Sequence, residues 1–218
     1  MPRALFEKTG TAIYISHLDL MRLFQRAFKR AGLHLTHTQG FNPRPSVSIA
    51  LPLSLGVESR CELLDFDLDG EMVSNEEICQ RLNQALVAGV RVLEVYNEAS
   101  KLKHLAFLDC EVTMEYDSEI QDTAVRRIRE LFERDEILVE KKSKNGVTEQ
   151  NILPMVQSLT VEAQDSEIIL KARVCCQNPT LNPMQLSAAI EKYLPDLTAD
   201  FVHVSRVEIY NTNNEVFR

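Results

Sequence analysis

SHLDLMRLFQRAFKRAGLHLTHTQGFNPRPS, residues 16–46, is the stretch from which the rest of the chain is read. Ser16 is a helix cap, with Asp19 three positions on as in a capping box. Leu18, Met21, Phe24, Ala27, Phe28 and Ala31 recur at helical spacing and predict one buried face, and Gly32 is a natural stop. Arg22, Arg26, Lys29 and Arg30 fall at i, i+4, i+7 and i+8, so they share the opposite face. Like charges at that spacing repel by about 0.2–0.5 kcal/mol per pair, which a bound polyanion relieves. In the adjoining loop, Pro43 and Pro45 fix their own φ and bias Asn42 and Arg44 towards extended backbone. Gly40 admits a positive φ. Phe41 places an aromatic ring near a cation, a pairing suited to stacking on an unpaired base, although an aromatic here reads equally well as a core plug under a turn.

Outward from this stretch the periodicity alternates between strands and helices. Arg3–Lys8 reads as a strand, and Thr11–Ile15 as its extended continuation after Thr9 and Gly10. Leu33–Thr38 and Ser46–Leu51 are short strands. Cys61–Leu68 sets Leu64, Phe66 and Leu68 against Asp65 and Asp67, which predicts one wet face. Ser74 and Glu77 cap a second helix that buries Ile78, Leu82, Ala85 and Leu86 and stops at Gly89. Val90–Tyr96 is a strand, and the polar run 97–104 reads as a linker. The order then repeats: Leu108 to Tyr116 alternates cleanly, Ser118 and Gln121 cap a helix carrying Ile128 and Leu131, and Glu136–Glu140 is a strand. Lys141–Gly146 reads as a charged turn, Leu159–Ala163 and Ile168–Val174 as a hairpin, Asn182 and Pro183 as the start of a helix, and Phe201–Tyr210 as the last strand. The prediction is an α+β protein of two tandem ferredoxin-like (β-α-β-β-α-β) units, residues 1–98 and 105–218, with antiparallel sheets and helices on one face.

The 218 residues, 44% hydrophobic, suffice for one large core or two small ones. No apolar run approaches a membrane span and the N-terminus has no signal-peptide pattern. Five cysteines without CxxC spacing point to reduced thiols, so a cytoplasmic protein is expected. The net charge of −8 is unevenly spread: residues 1–45 hold seven Lys/Arg against two Asp/Glu, a balance of +5, leaving −13 for the remainder. A basic patch of this kind can bind a nucleic acid locally within an acidic chain.

The runs KTG (8–10), SHLDLMR (16–22), RAGL (30–33), QGFNPRP (39–45) and LPLSLGVES (51–59), with NILP (151–154) and SRVEIY (205–210), resemble the radical-SAM-linked protein family, a domain of unknown function. That resemblance spans nearly the whole chain. It implies a gene neighbour or fusion partner that is a radical SAM protein, and a setting in RNA metabolism, without a defined activity. Family members often carry His at the position of Arg44.

Several chemistries are excluded or outweighed. No three cysteines are close enough in sequence to hold a radical SAM cluster, and no Walker loop, dinucleotide fingerprint or zinc-finger spacing occurs. No cofactor and no metal site are expected: His34 and His37 at i, i+3 fall on opposite faces of a strand, with His37 on the leucine face as a core histidine and His34 on the polar face, within reach of a ligand. His17, in the first helical turn, is the one candidate proton-transfer group. The leading expectation is a non-catalytic RNA-binding partner of a radical SAM enzyme, using Arg22, Arg26, Lys29, Arg30, His34, Gln39, Phe41, Asn42 and Arg44. The alternatives are a metal-independent endoribonuclease relying on His17, and a protein-interaction scaffold that binds no RNA. The endoribonuclease analogy is of fold alone, and the glycine-rich C-terminal loop typical of such enzymes is missing from residues 195–218.

Overall fold

The computed structural model describes residues 1–70, 73–97, 99–143 and 146–218. The protein is a mixed α+β chain with mostly antiparallel pairing and, among the described residues, four α-helices. It divides into two compact units, Met1–His104 with Phe217–Arg218, and Leu105–Val216.

In the first unit, strand β1 (Arg3–Lys8) leads into helix α1 (His17–Arg30), β2 (Val47–Ala50), β3 (Glu58–Phe66), helix α2 (Asn75–Ala85) and β4 (Val90–Tyr96). The sheet order is β4-β1-β3-β2, and every neighbouring pair is antiparallel. Period two puts Ala4, Phe6, Leu64 and Phe66 on one sheet face, where Leu20, Phe24, Ala27 and Phe28 of α1 and Ile78 and Leu82 of α2 cover them. Phe6 meets Phe24 edge-on at 4.8 Å between centroids, and Phe28 meets Phe66 at 5.0 Å. Each such buried side chain contributes about 1.5–3 kcal/mol. Gly89 has φ +83°, and a Cβ there would lie 2.4 Å from the carbonyl oxygen of Thr9, whose amide donates to the Gly89 carbonyl at 2.8 Å. Only glycine allows that approach.

Several readings of this unit change. Gly10–Tyr14 forms a 3-10 turn instead of extended chain: Gly10 takes φ +55°, and the buried ammonium of Lys8 donates to the Ile13 carbonyl at 3.0 Å, which requires the chain to fold back. The helical stripe runs through Leu20, while Leu18 is exposed. The second face of β3 is dry, since Cys61 and Leu63 are buried there beside the Arg3–Asp65 ion pair. Leu33–Thr38 is no strand; it makes isolated bridges, Leu35 with Leu68 and His37 with Pro45. In the 97–104 segment, where Glu98 lies outside the described residues, Ser100 accepts from Arg3 and donates to the Arg218 carbonyl, and Leu102–His104 is a 3-10 turn.

The second unit comprises β5 (Leu105–Glu115), α3 (Ala124–Phe132), β6 (Leu138–Ser143), β7 (Gly146–Asn151), β8 (Val156–Gln164), β9 (Glu167–Cys175), α4 (Met184–Tyr193) and β10 (Phe201–Asn211). Its sheet runs β10-β5-β9-β8, again antiparallel throughout. Ile128, Leu131, Leu170 and Ile190 are fully buried, as their periodicity predicts. Among the described residues β6 and β7 pair only with each other, and they attach to α4, whose Lys192 Nζ donates to the Leu138 carbonyl at 3.0 Å and whose Tyr193 hydroxyl accepts from the Leu138 amide at 3.1 Å. The expected turn over Lys141–Gly146 is therefore mostly hairpin; Lys144 and Asn145 lie outside the described residues. Ser118 and Gln121 do not cap α3, which starts at Ala124 after Thr123. Asn182 does cap α4, its Oδ1 accepting from the Met184 amide at 3.2 Å.

Candidate nucleic-acid interface

The sequence from Leu20 to Val57 contains no carboxylate, in a chain with 32 of them. The loop of interest and all of helix α1 after its first three residues, which include Asp19, lie in that gap. Ser16 caps α1 as expected, its Oγ accepting from the Asp19 amide at 3.2 Å and donating to the Asp19 carboxylate at 2.7 Å. That hydroxyl bond, then the one from Arg22 at 2.8 Å, holds the Asp19 carboxyl below the usual carboxylate range. Arg22 is thus exposed yet engaged. Arg30 is also engaged: its Nη2 donates to the Ala85 carbonyl at 2.6 Å, at the last turn of α2, where a cation suits the helix dipole. Arg26 and Lys29 are exposed, and their side chains make no hydrogen bond or ion pair among the described residues. All four cations lie on the solvent side of α1; among the described residues only these two make no direct side-chain bond, Arg26 feeling the Asp19 carboxylate at longer range.

Beyond Gly32, at φ +67°, the chain runs along the end of the sheet. The His34 carbonyl accepts from the Asp69 amide at 2.7 Å, the Thr36 amide donates to the Asp67 carbonyl at 2.9 Å, and the Ser46 amide donates to the Thr36 carbonyl at 2.8 Å. These bonds fasten the base of the 38–44 loop. Its neck is closed by the Thr38 amide donating to the Arg44 carbonyl at 2.8 Å and the Arg44 amide donating to Thr38 Oγ1 at 3.0 Å. Between these points Gln39, Gly40, Phe41, Asn42, Pro43 and Arg44 are all exposed. Phe41 is 102% exposed, so it plugs no core. The Arg44 guanidinium has no partner among the described residues.

His34 is exposed, as its polar face implied, and so is His37, which departs from the core role read for it. The segment is bridged rather than sheeted, so strand alternation does not decide its faces. His17 is the first residue of α1, half-buried and without a side-chain hydrogen bond among the described residues. Among the described residues no three histidine, cysteine or acidic side chains gather into a metal site. Sequence reasoning passes over Arg81, which lines an open cleft of about 530 Å³ with Arg30, Ala31, Gln84 and Ala85. Arg81 is ion-paired to Glu77 one turn earlier, and nothing in its spacing announces a neighbour on α1.

Residues 2–183 match the model of a family described as an uncharacterized protein conserved in bacteria (DUF2344). The chain belongs to that family. The match takes in α1, the 38–44 loop and both units up to Pro183, just before α4. No curated protein matches. Among solved structures, a chain of a Cbf5-Nop10-Gar1 complex is similar at TM-score 0.50 and 8% identity, over 95% of this chain and 48% of that one. This DUF2344 chain therefore spans about half the length of that relative, and the likeness is one of fold. An unknown protein from Galdieria sulphuraria gives TM-score 0.26 at 11% identity, over 94% and 96% of the two chains. No helix among the described residues is long and apolar enough to cross a membrane.

Proposed function

We propose that this protein is an RNA-binding accessory of a radical SAM enzyme, built of two tandem ferredoxin-like units, that grips a tRNA-like or ribosome-related RNA through its basic N-terminal unit. The observation that carries the RNA reading is the pair Arg26 and Lys29, exposed on α1 with no side-chain hydrogen bond or ion pair among the described residues, inside a carboxylate-free stretch of an acidic chain. Two like charges on one helix face, neither in a direct ion pair among the described residues, are relieved by phosphates, and each phosphate contact releases condensed counterions. The ferredoxin-like reading rests on each unit's own strand order, in which the fourth strand of the β-α-β-β-α-β series neighbours the first, and the third lies between first and second once β6 and β7 are set aside. The radical SAM partner rests on the sequence resemblance alone.

Filter-binding titrations against host tRNA at several salt concentrations test the RNA reading. Log affinity is expected to fall with log salt at about −0.7 per phosphate contact on single strands. Arg26→Ala with Lys29→Ala should weaken binding and flatten that slope by about 1–2 units. Wild-type protein without saturable binding at low salt, or a double variant that matches wild type, would sink it. Co-purification from the host tests the partner: a radical SAM protein should accompany the tagged chain.

A further inference from the structure

We infer that the 38–44 loop seats one unpaired nucleobase against the ring of Phe41, so that the RNA taken by this unit presents a single-stranded segment there; the inference rests on the RNA reading above and narrows it. A lone exposed aromatic is ordinary on a protein surface. This one differs in its mounting. The loop neck is clamped by two hydrogen bonds between Thr38 and Arg44, and its base by the Thr36–Ser46 and Thr36–Asp67 bonds. Pro43 and Pro45 stiffen the return limb, and Gly40 takes φ +142°, a conformation other residues rarely adopt. The ring at 102% exposure is therefore held out by a frame with little backbone freedom left to lose on binding.

The groups around the ring suit a base rather than an apolar partner. Gln39 and Asn42 are exposed amides in the same loop, able to donate and accept on a base edge, and Arg44 supplies a free guanidinium for the adjoining phosphate or the base plane. No carboxylate lies within the loop to repel the backbone. A protein partner would find one ring amid polar groups, without the surrounding apolar area that shields an interface anchor. A duplex offers no free base face, and its deep major groove does not admit side chains. An unpaired nucleotide offers both a face and an edge.

The chain has no tryptophan, so Phe41→Trp introduces a single reporter at the loop tip. Oligoadenylate, oligouridylate and an RNA duplex are titrated while its emission is followed, with affinities measured in parallel for wild type and Phe41→Ala. Saturable quenching is expected with the single strands and not with the duplex. Phe41→Ala should lose about 5- to 150-fold in affinity for the single strands, with an unchanged salt slope and unchanged duplex binding. Salt-dependent binding with neither quenching nor a Phe41→Ala defect overturns the stacking inference and leaves the charge reading standing. Absence of saturable binding to any RNA overturns both. An emission change produced by a co-purified partner protein and by no RNA assigns the loop to a protein interface and overturns the inference as well.

Discussion

Helices α1 and α3 hold the same place in their units, each coming after the first strand, and they treat their cations oppositely. On α3, Arg127 makes a two-pronged pair with Asp196 at 2.5 and 2.8 Å, Arg129 donates to the Val161 carbonyl at 2.7 Å, and Arg126 lies 3.8 Å from Glu130 one turn on. Arg127 in turn holds the Asp196 carboxyl below its ordinary range. On α1, Arg22 and Arg30 are engaged, while Arg26 and Lys29 make no side-chain hydrogen bond or ion pair among the described residues. The segments C-terminal to the two helices also differ: a clamped loop with an exposed Phe41 in the first unit, a β-hairpin docked on α4 in the second. One strand order thus supports two surfaces. The difference lies in whether each arginine has a carboxylate or carbonyl within reach, which the count of basic residues does not disclose.

The largest expected effects separate core from surface among aromatics that look alike in sequence. Phe28→Ala removes a fully buried ring packed on Phe66 and should cost about 3–5 kcal/mol in urea unfolding, as Ile128→Ala should cost about 2–5 kcal/mol in the second unit. Phe41→Ala should stay within about 0.5 kcal/mol of wild type. A destabilised Phe41→Ala protein would mean that the loop is packed in solution. Gly89→Ala comes next: a positive φ and a Cβ 2.4 Å from a backbone oxygen should cost about 1–3 kcal/mol, read as a lowered urea midpoint.

The comparison of the helices is tested directly by moving the charge deletion from one to the other. Arg126→Ala with Arg129→Ala should leave tRNA affinity and its salt slope as in wild type, while losing about 1 kcal/mol of stability with the bond to Val161. Equal loss of RNA binding from both helices would show that overall charge, and not the free pair on α1, attracts the RNA.

The smallest effect concerns Lys8, whose burial disfavours the ammonium and lowers its pKa from 10.5, with Glu62 opposing. The unfolded chain then binds more protons than the folded one between the lowered value and 10.5, so stability rises with pH across that window. Relative to Lys8→Met, wild-type protein should gain stability as pH climbs through the alkaline range and level off above 10.5. A difference that is flat or falls with pH would place the amine in water.

Most of this architecture is legible in local chemistry. The caps at Ser16, Ser74 and Asn182, the stop at Gly32 and the alternation of Leu108 to Met114 act within a turn or a strand, so a single window of residues carries them. Polar segments are less legible. The strand read over Glu136–Glu140 catches only the start of β6 and β7 has no sustained apolar alternation, while their place is set by Lys192 and Tyr193 from a distant helix. The 3-10 turn at Gly10–Tyr14 likewise answers to the buried Lys8, which its own residues do not foretell.

The candidate site divides in the same way. Helical spacing alone put Arg22, Arg26, Lys29 and Arg30 on one face, and prolines and glycine alone made the 39–45 run a stiff turn, because 3.6-residue periodicity and fixed φ are local properties. Tertiary structure decided which cations remain free, since the carbonyl that engages Arg30 belongs to α2. It decided between Leu18 and Leu20, because the helix's rotation on the sheet selects one of two neighbouring stripes. And it decided Phe41: as a residue type the ring suits a core or a platform equally, and only the closure of the loop between Thr38 and Arg44 holds it out in water.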